Sequence, residues 1–303
     1  MGGRRVKEEQ APRVVGLGVA CLDYLFVTEE VEKGAQARLV DYAVEGGGLV
    51  GTALAAAARL GARAEIVTWV GEDEAGRLVV EGLEAEGVDT SRVEVIRGGR
   101  TAVSFVRVEA GTGERTIHHR RGSRPTAEQV ETVAGLDIRA DAVVVDGVWP
   151  EASVGFARRV REAGAPVVGD FCPRAGLEEL TGLVTALIVP QACGEGLGAS
   201  WEARLEALAR YGPEFVGITA GEEGCHFLVS GEAKVHPALA VEVVDTTGAG
   251  DVFHGAFAYG LARGWGYERC VEFAAATAAL SCRALGGRRG IPVRQEVDRL
   301  LGT

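Results

Sequence analysis

A glycine-rich turn that ends in an aspartate is the strongest chemical signal in the sequence. Residues 241–264 read VEVVDTTGAGDVFHGAFAYGLARG, which predicts an apolar strand, a turn through Gly248, Ala249 and Gly250, and then a helix. The backbone N–H groups of such a turn converge on an anion, and the partial positive charge of the helix N-terminus favours the same anion. Asp251 follows directly, where a carboxylate can accept a proton from a hydroxyl group while the N–H groups hold a phosphoryl group in transfer.

The same residues also have a purely structural interpretation. Glycines fit any tight turn, and aspartate is common at helix N-termini because it caps them. The chain lacks a G-x-x-x-x-G-K-[ST] loop with its phosphate-binding lysine and metal-binding hydroxyl. Position alone therefore leaves both a catalytic and a capping role open for Asp251.

The elements around this turn alternate between strand and helix. Apolar runs such as AEIVTWVG and ADAVVVDGVW alternate with amphipathic segments such as EASVGFARRVREAG. Runs without polar alternation are typical of strands that helices cover on both faces. The pattern predicts a single α/β domain over residues 1–303, with a doubly wound, mostly parallel sheet flanked by helices.

Two stretches depart from this pattern. Residues 35–45 and 101–120 alternate apolar and polar side chains, and the second contains a Gly-Thr-Gly turn at 111–113, so both are typical of half-exposed antiparallel strands. We expect a small β lid formed by about 35–48 and 100–121. An additional edge hairpin of the main sheet is the alternative.

Composition excludes several classes of function. The net charge of −11 argues against a sequence-independent grip on nucleic acid, which needs clustered Lys and Arg. The sequence has no run of ~20 uninterrupted apolar residues, so we expect no membrane span. The six cysteines are scattered, without C-x-x-C, which favours buried reduced thiols over disulfides or zinc. These features predict a cytoplasmic protein with a small-molecule partner.

The string DTTGAGDVFHGAF at 245–257 resembles the second signature of the ribokinase, or PfkB, carbohydrate kinases. The resemblance implies that Asp251 is the catalytic base and that Gly248, Ala249 and Gly250 form the anion hole. It also implies a ribokinase-like fold, with ATP as phosphoryl donor, Mg²⁺ as cofactor and a sugar hydroxyl as acceptor.

The resemblance extends over nearly the whole chain. GLGVACLD resembles the family's first strand and implies that Asp23 binds substrate; EGGGLVGTALAAAARLG resembles its first signature, and VGEDEAG its G-x-D-x-x-G block. Asp170 ends the VVGDF strand where the family commonly has D-x-N-x-R. The resemblance there implies a role for Asp170 in organising magnesium.

Two later segments resemble the nucleotide-binding parts of the family. ITAGEEGCHFL resembles its T-x-G-x-x-G strand and turn, and AAATAALSCRALGGRRGIP resembles the helix and loop that close over adenine. The residues alone would equally indicate a turn between two strands and a tightly packed helix. The implied nucleotide-binding residues are Thr219, Gly221, Gly224, Ala278, Cys282 and Gly286.

The chain also departs from the family pattern. The first signature usually contains G-G-N-x-x-N, whose asparagines bind sugar hydroxyls, whereas residues 46–51 read GGGLVG. We expect Gly47, Gly48 and Gly51 to line the acceptor site, with sugar recognition that differs from that of ribokinase. The N-x-x-E motif, whose glutamate orders metal-bound water, is replaced by PQAC at 190–193, which makes a metal role for this segment doubtful.

Within the family, the chain resembles sulfofructose kinases most and ketohexokinases more distantly. It shares with the former the GGG before an alanine-rich helix and the later GGRxGIP. Where sulfofructose kinases carry Lys, Asn and Arg for the sulfonate, however, this chain has Gln36, His119 and Val148. The simplest sulfonate clamp is therefore absent.

A basic run, HHRRGS at 118–123, lies on the expected lid. Alternation along a strand would aim two of its four basic side chains toward the cleft. We expect His119 and Arg120 to contact the substrate, with Arg120 binding an anionic substituent through two hydrogen bonds and Arg121 pointing away. A solvated charge run is the alternative.

The sequence thus predicts an ATP-dependent kinase acting on a ketose or an anionic sugar derivative. A nucleoside kinase of the same fold is one alternative, and a non-catalytic sugar or nucleotide sensor is another. Lid sheets in this family often pair, which implies a homodimer formed through the lid.

Overall fold

The computed structural model of the protein describes residues 10–29, 36, 38–110 and 115–303. The predicted Gly-Thr-Gly turn at 111–113 and the first residue of the predicted lid, at position 35, lie outside the described residues.

Within these residues the main sheet contains nine strands. All neighbouring strands are parallel except the last two along the chain, which form an antiparallel edge. The prediction of a mostly parallel α/β sheet is confirmed. In sheet order the strands are β13 (Glu232–His236), β12 (Cys225–Val229), β11 (Phe215–Thr219), β10 (Ala186–Pro190), β9 (Val167–Asp170), β8 (Ala142–Val145), β1 (Arg13–Leu17), β4 (Arg63–Gly71) and β5 (Val88–Ile96).

Helices cover both faces of this sheet. One layer contains α1 (Leu49–Arg59), α2 (Glu74–Ala85), α8 (Ala249–Ala262) and α9 (Tyr267–Ser281), with α10 (Arg294–Leu301) against α9. The other contains α3 (Ala127–Ala134), α4 (Pro150–Glu162), α5 (Glu178–Leu183) and α7 (Trp201–Ala209), and a short α6 (Gln191–Gly194) follows β10. Every residue of β8 is buried, as its unbroken apolar sequence predicts for a strand between two helical layers. None of the described helices is long and apolar enough to cross a bilayer.

A second sheet of four strands stands beside the first. Its order is β3 (Leu39–Gly47), β2 (Cys21–Thr28), β6 (Val103–Glu109) and β7 (Arg115–Arg120). The two alternating stretches of the sequence supply three of these strands, and we call this sheet the lid. The pair β2 and β6 is parallel, whereas β2 with β3 and β6 with β7 are antiparallel.

The central lid strand β2 carries Asp23, whereas the resemblance had joined GLGVACLD into one first strand. The chain leaves the main sheet after β1, at Gly18. A Cβ atom at this glycine would lie 2.3 Å from the Val50 side chain and 2.4 Å from the carboxylate of Asp146. The backbone therefore passes between α1 and β8 without room for a side chain, and Asp23 comes to lie in the lid.

The apolar strand predicted before the glycine turn is absent. Residues 241–244 form no strand, and the side chains of Val243 and Val244 are exposed. This segment pairs with no strand of either described sheet. The N–H of Val244 instead donates to the carbonyl of Cys282, 2.8 Å away at the end of α9. The prediction was wrong because apolar β-branched residues fit an extended loop as well as a strand.

The cysteines also correct the sequence analysis, which predicted six reduced thiols. Cys172 and Cys193 form a disulfide, with their Cα atoms 5.6 Å apart, within the range that a disulfide spans. Because β9 and β10 are adjacent and parallel, the segments after their carboxyl ends lie side by side. The other four cysteines are free and buried, as predicted.

Candidate active site

Four aspartates come together beside the carboxyl ends of β8 and β9. Asp170 is the last residue of β9, and Asp146 directly follows β8. Asp251 lies in the first turn of α8, and Asp23 lies on β2. The other three carboxylates all lie close enough to raise the pKa of Asp251. This edge of an open α/β sheet is where ligands bind in such folds.

Asp251 makes no capping hydrogen bond. It is the third residue of α8, and no side chain caps that helix, so the capping interpretation does not describe it. Removal from water is the main cause that raises the pKa of Asp251 well above its usual value, and the charges of Asp170 and Asp23 add to it. The guanidinium of Arg288 acts in the opposite direction.

The glycine turn is held in place by the loop at 286–288. Gly248 has a left-handed φ of 72°, and a Cβ there would lie 2.8 Å from the Cα of Gly287, so only glycine fits. The carboxylate of Asp245 accepts hydrogen bonds from the backbone N–H and hydroxyl of Thr247, at 2.9 and 2.7 Å. Its second oxygen accepts the N–H of Gly286 at 2.9 Å.

The N–H groups of the turn differ in what they contact. The N–H of Ala249 donates to the carbonyl of Thr246 at 3.2 Å. The sequence analysis expected this N–H to be free for an anion, and in the structure it is not. The N–H groups of Gly250 and Asp251 make no hydrogen bond to any described residue. A Cβ at Gly250 would meet no atom within 4 Å, so this N-terminus faces open space.

Asp23 lies on a row of side chains across the lid. In register, Asp23 on β2 pairs with Ser104 on β6, which pairs with His119 on β7. Directly paired residues project from the same face of a sheet, so His119 and Asp23 share a face of the lid. Gly47 on β3 pairs with Cys21 rather than with Asp23, and glycine is required there because a Cβ would lie 2.0 Å from the Asp23 carboxylate.

Arg120 was predicted on that same face, and this is wrong. It pairs with Val103, which pairs with Leu22, and alternation places this row on the opposite face of the lid from Asp23. The guanidinium of Arg120 donates to the carbonyl of Thr101 at 3.1 Å. The sequence showed that the side chains of residues 118–121 alternate between the two faces of the strand. It did not show whether the odd-numbered or the even-numbered ones face the cleft.

The glycines at 48 and 51 make room for neighbouring groups. Gly48 precedes α1 with a φ of 89°, and a Cβ there would lie 2.6 Å from the carbonyl oxygen of Val19. At Gly51 a Cβ would lie 2.7 Å from the guanidinium of Arg288, a residue that the sequence analysis did not single out. Its only signal in the sequence was its place in the GGRRGIP segment.

His254 links the turn to the main sheet. Its Nδ1 lies 2.7 Å from the carbonyl oxygen of Gly250, and its Nε2 lies 3.0 Å from that of Ile188 on β10. Nδ1 is also 3.5 Å from the carboxylate of Asp170. This role was not predicted, although His254 stands one helical turn after Gly250, where its side chain reaches back toward that residue.

Asp146 was also missed, although it follows the apolar run VVV much as Asp170 follows VVG. Its carboxylate accepts hydrogen bonds from the backbone N–H groups of Val19 and Val148. Burial raises the pKa of Asp146 to about 7, against the effect of these hydrogen bonds. It therefore ties β1 to β8 beneath the site and adds negative charge to it.

Three predicted nucleotide-binding residues lie around the end of β11. Thr219 is its last residue, and Gly221 begins a short 3₁₀ turn. Gly224 ends that turn with a φ of 86°, and a Cβ there would lie 2.1 Å from the carbonyl oxygen of His236. The predicted turn between two strands is therefore present, and Gly224 is needed for its packing.

The remaining predicted nucleotide-binding residues lie next to the glycine turn. Ala278 is in the last turn of α9, and the thiol of Cys282 contacts its carbonyl oxygen at 3.2 Å. The carbonyl of Cys282 accepts the N–H groups of Val244 and Asp245. Gly286 donates to the Asp245 carboxylate. The structure thus brings this C-terminal segment against the residues that lead into the turn.

The carboxylates of the site determine whether a magnesium ion fits there. One oxygen of Asp170, Oδ2, is buried without a hydrogen-bond partner among the described residues. Among the described residues, no three His, Cys, Asp or Glu side chains are placed so that they could hold one metal ion together. Mg²⁺ commonly keeps several waters and uses one or two carboxylates with substrate phosphates, so a single available carboxylate oxygen fits it.

Comparison with known proteins identifies the relatives of this chain. The model of the pfkB family carbohydrate kinases matches residues 11–294. The ribokinase of Bacillus subtilis is 28% identical over 289 residues, which cover 94% of this chain and 98% of that protein. The 2-dehydro-3-deoxygluconokinase of Thermoproteus tenax is 30% identical over 267 residues, which cover 81% and 82% of the two chains.

A solved structure shows the same fold. The Arabidopsis thaliana ribokinase, solved in complex with ribose and ATP, superposes with a TM-score of 0.81 at 26% identity, covering 97% of this chain and all of that one. The family match spans nearly the whole chain and agrees with the α/β sheet, the lid and the glycine turn described above. The chain belongs to the pfkB family of carbohydrate kinases and is therefore a phosphotransferase.

Proposed function

We propose that this protein transfers the γ-phosphoryl group of ATP to a hydroxyl of a ketose or an anionic sugar derivative, with Asp251 as the base. One observation carries the proposal: the Asp251 carboxylate stands beside the open, unbonded N-terminus of α8. A proton acceptor and an anion-binding helix end in one turn are what phosphoryl transfer to a hydroxyl needs.

Asp251 accepts the proton of the acceptor hydroxyl. Its raised pKa supports this role, because a general base works best when its pKa approaches the working pH. Asp23 accepts a hydrogen bond from a second hydroxyl and thereby fixes which oxygen faces Asp251. Such orientation contributes much of the rate in transfers that need little covalent help from the protein.

The start of α8 binds the phosphoryl group in transfer. Gly250 and Asp251 donate the free N–H groups, and Gly248 gives the turn its left-handed conformation. The N–H of Ala249 can join them only if it leaves Thr246. Asp170 would hold magnesium through its unbonded oxygen, and the ion would neutralise phosphate charge when bound.

The nucleotide groove runs from the glycine turn along the end of α9. Val243 and Val244 expose apolar surface there, and the backbone N–H of Val244 donates to the carbonyl of Cys282. Exposed apolar side chains beside an anion-binding turn suit a flat adenine ring next to its phosphates. The ATP bound in the related ribokinase supports this assignment.

Asp251→Asn is the test of the proposed function. The variant should fold and bind nucleotide like the wild type, while kcat falls by about 10²-fold or more because the proton acceptor is lost. Acceptor-dependent ADP release, measured over neutral ketoses, sugar acids, sugar phosphates and nucleosides, would identify the substrate class. Near-normal turnover in Asp251→Asn contradicts the assignment of the base, and wild-type protein that binds these ligands without releasing ADP would indicate a sensor.

A further inference from the structure

Arg288 is a buried arginine that forms no ion pair with any residue that the structure describes, and it lies beside Gly47 and Gly51. The side chain of Arg288 is only 4% exposed. Its Nη2 donates to the carbonyl of Gly47 at 2.9 Å, and its Nε lies 3.5 Å from the hydroxyl of Thr52. Its Nη1 is buried and has no hydrogen-bond partner among the described residues.

Burying a guanidinium with an unbonded nitrogen costs free energy unless an anion binds it. A buried guanidinium is desolvated, and a cation in this state is normally paired with an anion. Asp23 and Glu45 are near enough to attract Arg288, but neither side chain bonds to its guanidinium. The guanidinium carries five N–H donors, so several remain available.

The residues around the guanidinium are glycines. A Cβ at Gly46 would lie 2.2 Å from Nη1, and a Cβ at Gly51 would lie 2.7 Å from Nη2. The guanidinium therefore fills the space that a side chain at position 51 would take. The family signature has an asparagine at this position, and the glycine here leaves the space to Arg288.

Asp23, on β2, contacts the same glycine segment at the end of β3. A Cβ at Gly47 would contact the Asp23 carboxylate, while the carbonyl of Gly47 accepts the hydrogen bond from Arg288. The proposed acceptor-orienting carboxylate and the guanidinium thus contact one and the same residue. The charge of Arg288 also lowers the pKa of Asp251, so the guanidinium lies near both carboxylates of the proposed acceptor site.

We propose that Arg288 determines the acceptor specificity of this kinase, by binding an anionic oxygen group, a carboxylate or a phosphate, on the sugar. The inference rests on the proposed function and gives its substrate class. A guanidinium binds such a group through two parallel hydrogen bonds, which an asparagine cannot do. Arg288 takes the role that the sequence had suggested for Arg120, whose guanidinium bonds to the carbonyl of Thr101 instead.

The test compares related acceptors with and without an anionic group. The values of kcat/KM would be measured for gluconate against glucose, for ribose 1-phosphate against ribose, and for further such pairs. Wild-type protein should prefer the anionic member roughly 10- to 150-fold, the range of a charge-assisted contact. Carboxylates and phosphates form separate arms, so the preferred group is identified.

Arg288→Met should abolish this preference, and Arg288→Lys should retain part of it, because lysine keeps the charge but not the paired geometry. Arg289→Met is the matched control: Arg289 is exposed and pairs with Glu45 at 3.7 Å. It should leave the preference intact. Unfolding curves show whether each variant is folded, and Arg288→Lys provides the comparison if Arg288→Met is not.

Equilibrium binding separates this inference from the proposed function. Calorimetry with Asp251→Asn protein measures the affinity for each pair of ligands without turnover, both with and without Arg288→Met. A charge preference that disappears with Arg288→Met supports the inference even if no acceptor is phosphorylated. Wild-type preference for neutral sugars, binding of no anionic ligand, or a preference that survives Arg288→Met overturns it.

Discussion

At the scale of single residues, the site concentrates negative charge around one base. Loss of water is the largest cause that raises the pKa of Asp251, and the carboxylate of Asp170 is the next. The charge of Arg288 partly offsets both. Burial and the charge of His254 act on Asp170 in opposite directions, with burial stronger, so the pKa of Asp170 is also raised. The pH at which Asp251 can accept a proton is therefore set largely by its neighbours.

Asp170→Asn should move the acid limb of the pH profile. Because the negative charge of Asp170 raises the pKa of Asp251, its removal lowers that pKa, and the base stays ionised at lower pH. The acid limb of kcat/KM should begin above the usual aspartate range in wild type and shift to lower pH in Asp170→Asn. With magnesium-bound ATP as the limiting substrate, kcat/KM reports the pKa of the free enzyme, before the ion reaches Asp170, independently of any loss in maximal rate.

The exposed Asp137 offers a control for charge alone. Asp137→Asn removes the same charge from the surface and should leave the limb where it is. A limb that stays in place or moves to higher pH in Asp170→Asn would show that Asp170 does not set the pKa of the working base.

At the scale of elements, the turn before α8 owes its shape to two loops in contact. Asp245 binds both its own turn and Gly286, and Gly248 packs directly on Gly287. Farther along α8, a Cβ at Gly255 would lie 2.0 Å from the carbonyl oxygen of Ala53 in α1. These close approaches hold the helix start where Asp251 and the free N–H groups face the cleft.

Gly250→Ala should separate stability from activity. The new methyl group meets no protein atom within 4 Å, and alanine favours a helix more than glycine by up to about 1 kcal/mol. The thermal midpoint should stay the same or rise. The methyl group would nevertheless occupy the space in which the phosphoryl group is proposed to lie, so kcat/KM should fall by about 10²-fold, the cost of a small misplacement of reacting groups.

Gly182→Ala in α5 is the matched control, since its Cβ also meets nothing within 4 Å. It should keep full activity. If Gly250→Ala were as active as Gly182→Ala, the space above the turn would not be where the phosphoryl group binds.

The elements also show what the sequence could predict. The motif at 245–257 located the turn and Asp251, and unbroken apolar runs such as that of β8 indicated a covered sheet, because both signals are local. Whether Arg120 faces the cleft depends on strand register, and the disulfide depends on which strands are neighbours. Neither property is encoded in the spacing of residues along the chain.

Arg288 is the clearest example of a site residue that could not be predicted from the spacing of residues along the chain. It follows a helix in a glycine-rich loop, and its burial depends on three glycines at 46, 47 and 51 that are distant in sequence. The missing asparagines were visible as a departure from a pattern. What fills their space became visible only in three dimensions.

At the scale of the whole molecule, the outer face of the lid exposes apolar side chains. Tyr42 is 67% exposed and Phe105 is 46% exposed, and Phe105 stacks on Tyr24 at 5.0 Å. Val44 adds to the same face through its pairing with Tyr24. Exposed apolar surface of this kind commonly marks an interface.

We expect the protein to form a dimer through this face. Light scattering during size-exclusion chromatography should give twice the mass of the chain, and Tyr42→Glu should give the monomer because it buries a charge in the interface. Tyr211→Glu, which changes an exposed tyrosine after α7, should remain dimeric. A monomeric wild type, or a dimer unaffected by Tyr42→Glu, would contradict the lid interface.

The hydrogen bond between Arg288 and Gly47 joins residues 241 positions apart. Synthesis proceeds from the N-terminus, so the lid strands and the glycines of α1 are made long before the loop that completes their site. Closing so long a loop costs entropy that only the finished α/β core can offset. A nascent chain that stops short of this loop lacks both the guanidinium and the support of the glycine turn, and incomplete chains should therefore consume no ATP in the cell.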